Sequence, residues 1–215
     1  MVSHNLASAA VWFERAGADN TREFWAREKQ HYAEDVREPF LELLAAVDAD
    51  PASWRVYRPH NDTRFGADKG PLKLFLGALN IDDNGTGRYL QVDARGLLAS
   101  SGMPYLAPDQ LVLWREALLD ERGDAFASAV EAARAAGGTL KSGYPAPLQR
   151  APRGVDPDHP RIEWLRWKGV EVFGRAPAGH DEPATWVRST WAAGAPVAAW
   201  LGAHVGPSSL ERPRR

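Results

Sequence analysis

Apolar residues first fall into helical register near residue 20. Trp25, Tyr32, Val36, Phe40, Leu43, Leu44 and Val47 recur at three- and four-residue steps. That spacing predicts one apolar stripe on a long helix ending before Asp50-Pro51. Asn20, with Glu23 three places on, has the form of a capping box at its start. Pro39 lies inside the stripe and is expected to bend the helix or remove one backbone bond. A shorter helix is expected over Ala7 to Arg15. The middle of the chain changes period. Trp54 to Arg58 alternates apolar and polar, and Leu72 to Leu79 and Arg88 to Asp93 are apolar enough for strands. Asp83-Asn84-Gly85-Thr86-Gly87 between the last two is turn chemistry and predicts a hairpin. Gly96 to Ser101 can add a third strand to that meander.

Helical spacing then returns. Pro108 suits a first helical position, and Leu111, Trp114 and Leu118 share a face. Asp124 to Ala136 is alanine-rich and stops at Gly137-Gly138. Gly143 to Pro160 reads as an ordered loop with a short strand at most. Asp158-His159-Pro160 opens a short helix through Trp164 and Trp167. Val170 to Phe173 is a strand. Pro183 to Val205 is helical through Trp186, Thr190, Ala193, Val197 and Trp200, with a kink or split expected at Gly194 and Pro196. Strands cluster centrally and helices flank them, so the pattern predicts an α+β fold, a mainly antiparallel central sheet with flanking helices. With no repeat and no flexible linker, the expected organisation is one domain over 1–215, with its core at about 6–206 and a frayed tail over 207–215.

Composition narrows the chemistry. The chain has 215 residues and no cysteine, which removes disulfides, thiolate metal sites and a cysteine nucleophile. No stretch approaches the ~20 apolar residues of a membrane helix, and Met1 to Phe13 lacks the form of a secretory signal. These features predict a cytoplasmic protein with no membrane partner. A net charge of −2 argues against nucleic acid as a partner. The nine tryptophans fall mostly on helix stripes at core spacing. Trp164 and Trp167 are the ones best placed to line a cleft, although core filling is the favoured role for them too.

Against that acidic background, residues 55–73 carry Arg55, Arg58, Arg64, Lys69 and Lys73 against Asp62 and Asp68, a local charge of +3. Arginine forks and a lysine ammonium match phosphate or carboxylate oxygens. Arg58, Arg64, Lys69 and Lys73 are therefore candidate ligand-binding residues for a small anion. Asp62, two residues from Arg64, can orient that guanidinium or, if partly desolvated, act as a base. Arg153 and His159 can join the same site, His159 as a proton carrier. Each has a plainer reading: an ion-pair network pinning a turn for the first group, and a helix start capped by Asp158 for the second. His60, Asp62 and Asp68 lack a second histidine at ligand spacing and sit among cations, so no metal is assigned, and no cofactor is implied. The residues specify no reaction.

Asp62, Arg64, Phe65, Asp68, Lys69, Pro71 and Lys73 match the signature Arg-Asp-x-Arg-Phe-Ser-x-Asp-Lys-x-Pro-Tyr-Lys of a bacterial family, domain of unknown function 2461, which the chain resembles. Asn20 to Trp25, Tyr32 with Pro39, Ala107 to Leu111, Pro152 to Gly154, Asp158 to Pro160, Lys168, Pro196 and Trp200-Leu201 extend the likeness over about residues 12 to 206. The resemblance implies a compact α+β domain with a shared site and carries no activity with it. Asn61, Gly66 and Leu72 stand where the signature has arginine, serine and tyrosine. Two functions are therefore weighed: binding of a small phosphorylated or carboxylated ligand, and a non-catalytic interaction domain whose charged motif is scaffold.

Overall fold

The computed structural model describes residues 6–62 and 70–210. In chain order the elements are α1 (Ala7–Ala18), α2 (Arg22–His31), a π-helical segment (Tyr32–Arg37), α3 (Glu38–Val47), β1 (Arg55–Val56), β2 (Phe75–Ile81), β3 (Gly87–Asp93) and β4 (Gly96–Met103). Then follow α4 (Pro108–Leu119), α5 (Arg122–Ala135), β5 (Thr139–Ser142), α6 (Ile162–Leu165), β6 (Val170–Ala176) and α7 (Pro183–His204). The strands form one six-stranded antiparallel sheet in the order β1-β2-β3-β4-β6-β5, so the fold is α+β as its patterning predicts. Arg55 stands opposite Leu79 in β2, and Thr139 opposite Phe173 in β6. The chain divides into two compact units, each assembled from three stretches. The first is Met1–Asn80, Tyr89–Ala99 and Arg175–Ser189; the second is Ile81–Arg88, Ser100–Gly174 and Thr190–Arg215.

In the first unit, Trp12, Phe13, Phe24, Tyr32, Val36, Phe40, Leu43 and Leu44 are buried, as are Leu76, Leu90, Val92 and Leu97 from the strands. The stripe predicted for one long helix is real, but the helix is not uniform. Pro39 has no N–H to give the carbonyl of Asp35, and its ring crowds that carbonyl. The chain answers with a wider turn just ahead of it, in which the Glu38 N–H bonds the carbonyl of Ala33, five residues back. The start of α2 also differs from expectation. Thr21, not Asn20, is the cap: its hydroxyl accepts from the Phe24 N–H at 3.1 Å.

The second unit closes over Trp114, which is fully buried among Phe126, Val130, Leu165, Val197, Trp200 and Leu201. Its ring meets Phe126 and Trp200 edge-on, at centroid distances of 5.0 and 5.8 Å. The Arg161 guanidinium donates to the carbonyls of Leu118 and Asp120, at 2.8 and 3.0 Å, and so places a cation at the C-terminus of α4. Gly123 makes room for it, since a Cβ there would lie 2.3 Å from that guanidinium. Gly194 does the same on α7, where a Cβ would fall 2.0 Å from the Ser101 hydroxyl. Helix α7 runs unbroken through Gly194 and Pro196, so the expected split does not occur. The four-residue edge strand β5 has no counterpart in the sequence reading, because Thr-Leu-Lys-Ser shows no alternation long enough to register.

The expected frayed tail is anchored at its start. The Asp109 carboxylate accepts from the Ser208 hydroxyl at 2.8 Å, the Ser209 N–H at 2.8 Å and the Ser209 hydroxyl at 3.0 Å. Residues 211–215 lie outside the described residues. Burial alone would raise the Asp109 pKa, but the hydrogen bonds from Ser208 and Ser209 outweigh it and lower it to about 2. A depressed carboxylate stabilises the fold above its unfolded pKa and loses that contribution as the pH falls through the folded value. Amide hydrogen exchange at Ser209 and Leu210 is therefore expected to accelerate as the pH drops from the ordinary carboxylate range toward about 2, after correction for intrinsic rates. In Asp109→Asn that acid-dependent step disappears.

Candidate functional site

Residues 59–61 and 71–73 are laced into a narrow neck at the base of the charged segment. The Asn61 N–H donates to the Pro71 carbonyl at 2.9 Å, the Lys73 N–H donates to the Pro59 carbonyl at 2.7 Å, and His60 bridges Leu72 in antiparallel register. The Asn61 side-chain amide donates to the carbonyls of Gly70 and Leu72, at 2.8 and 2.9 Å. Asn20 stitches the neck from the other side, its amide donating to the Leu72 carbonyl at 3.0 Å and accepting from the Leu72 N–H at 2.9 Å. This is why Asn20 does not cap α2. Its amide acts as one rung of a strand ladder for a residue 52 positions away. Gly70 permits the approach, since a Cβ there would lie 2.5 Å from the Asn20 side chain. Leu72 is 1 % exposed and belongs to the core.

Above this neck the structure brings together three of the residues singled out from sequence. The Arg58 guanidinium stands 3.9 Å from the Asp62 carboxylate, and both side chains are open to solvent. The Lys73 ammonium donates to the backbone carbonyl of His60. Partial burial lowers the Lys73 pKa from the usual lysine value, the nearby Arg58 cation lowers it further, and Asp62 acts in the opposite sense. Two cations are thus held within electrostatic reach of each other. Arg64 and Lys69 lie outside the described residues, as do Phe65, Gly66 and Asp68.

Arg153 and His159 belong to the second unit. Arg153 is exposed beside Gly154, whose φ of 82° gives the loop its left-handed step. His159 Nδ1 accepts from the Arg161 N–H at 3.1 Å, and its carbonyl accepts from Ile162. Nδ1 is therefore unprotonated in this geometry, which puts the proton on Nε2. The expected cap at Asp158 is not formed. The Asp158 N–H instead donates to the Asp156 carboxylate at 2.9 Å, and α6 starts after Arg161 with no side-chain cap.

The sequence reading passed over a second polar array in the first unit. The Tyr89 hydroxyl donates to the Gln91 side-chain oxygen at 2.6 Å, and the Gln91 amide donates to Asp93 at 2.7 Å. Asp93 takes a two-pronged bond from Arg175, at 3.1 and 2.9 Å, and a further bond from the Arg95 N–H at 2.8 Å. Burial works to raise the Asp93 pKa, but the bonds from Arg175 and Arg95 prevail and lower it. The i, i+2 spacing of Tyr89, Gln91 and Asp93 puts them on one face of β3, a signal available in the sequence. Their partner Arg175 was not, being 82 residues away.

A family model described as Conserved hypothetical protein (DUF2461) matches residues 9–200. The chain belongs to that family. The match takes in the neck, the Arg58–Asp62–Lys73 cluster and the Tyr89–Asp93 array alike. No curated protein and no solved structure matches the chain. In this member of DUF2461, two departures noted in the central signature have work within the fold: Asn61 ties the neck and Leu72 fills the core beneath it.

Proposed function

We propose that the protein binds a small anion, a phosphoryl or carboxylate group, beside the neck, at Arg58 and Lys73, in the cytoplasm. Arg58 and Lys73 hold the anion, and Asp62 orients Arg58. One observation carries this reading: the Lys73 ammonium is bonded to the His60 carbonyl close enough to the exposed Arg58 guanidinium for the two cations to oppose each other, with the Asp62 carboxylate 3.9 Å from that guanidinium. The neck that fixes Lys73 keeps the cations close, and an anion between them relieves their repulsion. Lysine and arginine so arranged supply a point charge and a planar fork to the same oxygens.

A second reading has its own support. The bonds from Asn20 and Asn61 show that the flanks of the motif build structure, as they would in a scaffold for protein interaction. The two readings differ at Arg58, whose side chain is 69 % exposed. Loss of an exposed charge on structural grounds costs ~1 kcal/mol or less. Thermal shift with phosphate, pyrophosphate and citrate at fixed ionic strength separates them. An anion at 100 times its dissociation constant adds ~2.7 kcal/mol to the wild type. Arg58→Ala and Lys73→Ala are expected to remain folded and to lose that gain. Equal gains in all three proteins, or none in the wild type, sink the anion reading.

A further inference from the structure

We infer that the anion is carried on a flat ring, as in an aryl phosphate or a phosphorylated heterocycle, and that the ring rests against His60 and Trp25. This rests on the anion-binding reading above and adds the class of ligand. An aromatic series runs outward through the first unit. Trp12, 2 % exposed, lies 5.0 Å from Tyr32 between ring centroids; Tyr32 lies 5.4 Å from Trp25; and Trp25 lies 4.9 Å from His60. The inner two rings are buried, Trp25 is half-buried and His60 is exposed. Burial of Tyr32 is deep enough to raise its pKa to about 12, so the inner end of the series is closed to polar ligands. The outer end opens on the charged neck.

The ring and the charge are joined there through a single residue. The Lys73 ammonium bonds the carbonyl of His60 itself, and Arg58 precedes His60 by two positions. Trp25 and His60 meet at 78°, so one ring offers its edge and the other its face. Whichever part the imidazole plays, at least one of its faces is not used by Trp25. A half-buried indole propping an exposed imidazole beside two cations offers a stacking surface next to a phosphate grip. A bare inorganic anion would use the charges alone. A phosphorylated ring uses both, and stacking on an aromatic side chain adds enough affinity to be measured.

The test compares methyl phosphate with phenyl phosphate by isothermal titration at constant ionic strength. The wild type is expected to bind phenyl phosphate on the order of tenfold more tightly. In His60→Ala, which leaves the backbone carbonyl under Lys73 in place, that preference is expected to vanish while methyl phosphate affinity is kept. Trp25→Leu is expected to behave likewise, and His60→Ala stands in its place if the loss of the Tyr32 contact unfolds the protein. In Lys73→Ala both esters are expected to weaken together. Equal affinity of the wild type for the two esters overturns the ring and leaves the anion standing. A preference that survives in His60→Ala also overturns the assignment. Binding of neither ester overturns both readings.

Discussion

Replacing Trp114 with alanine is expected to destabilise the protein by ~3–5 kcal/mol, the range for emptying a large aromatic site in a packed core. Trp114 is fully buried, its ring is gripped edge-on by Phe126 and Trp200, and its indole N–H donates to the Trp164 carbonyl at 3.1 Å. Those neighbours come from α5, α7 and α6, so they cannot collapse into the space by moving one element. The alanine variant also takes one donor from the Trp164 carbonyl, which keeps its bond from the Trp167 N–H at 3.0 Å. Urea unfolding followed by circular dichroism gives the total. Trp114→Phe divides it: it keeps most of the ring volume and loses the hydrogen bond, for an expected cost of ~1–3 kcal/mol. A loss below ~1 kcal/mol in the alanine variant would mean that the cluster is not the keystone of the second unit.

Arg175→Met is expected to come next in size, at ~3–5 kcal/mol near neutral pH, because it removes the forked partner of a carboxylate that is itself only 6 % exposed. Asp93 would keep its bonds from Gln91 and the Arg95 N–H and the exposed Arg95 guanidinium at 3.5 Å, but lose its forked, less exposed partner. The pH dependence distinguishes this cause from simple loss of packing. In the wild type the Asp93 pKa is depressed, so its contribution is present above the unfolded carboxylate value and fades as acid is added. Without Arg175 the largest lowering contribution is gone and that pKa moves up relative to the wild type, so the variant regains relative stability as Asp93 takes up a proton at higher pH. The gap between wild type and Arg175→Met is therefore expected to narrow in acid. A gap that stays constant from neutral to acid pH would assign the loss to the arginine stem. The double variant Asp93→Leu with Arg175→Met is expected to lose less than Arg175→Met alone, since it leaves no buried charge behind.

The division between what could be read in the chain and what could not follows the range of the interactions. The stripe from Trp25 to Val47 announced its helix because neighbours three and four apart decide it. The π turn was hidden inside that same stripe, since a widened turn keeps the apolar residues on the core side while changing the backbone bonds beneath them. Asn20 and Thr21 are both good caps, and only Leu72 decides between them by engaging Asn20 from far along the chain. The same distance concealed Arg175 from Asp93. β5 was illegible because an edge strand pairs on one side and needs little apolar pattern.

The candidate site divides in the same way. Asp62 was legible as an orienting carboxylate, but beside Arg64, its near neighbour in sequence; the structure sets it 3.9 Å from Arg58 and adds Lys73 through the neck. Sequence flagged the cations but not the aromatic neighbour they share. Trp25 counted as one more core residue on a helix stripe, and only its contact with His60 brings it beside the charges.

The lacing by Asn20, Asn61 and Gly70 has an evolutionary corollary. Residues 59–61 and 70–72 are held together by their own backbone and by the amides of Asn20 and Asn61. A relative that replaces Asn20 must therefore find another acceptor for the Leu72 N–H, while the Leu72 carbonyl keeps its bond from Asn61, so a change at Asn20 is bound to come with another beside Leu72.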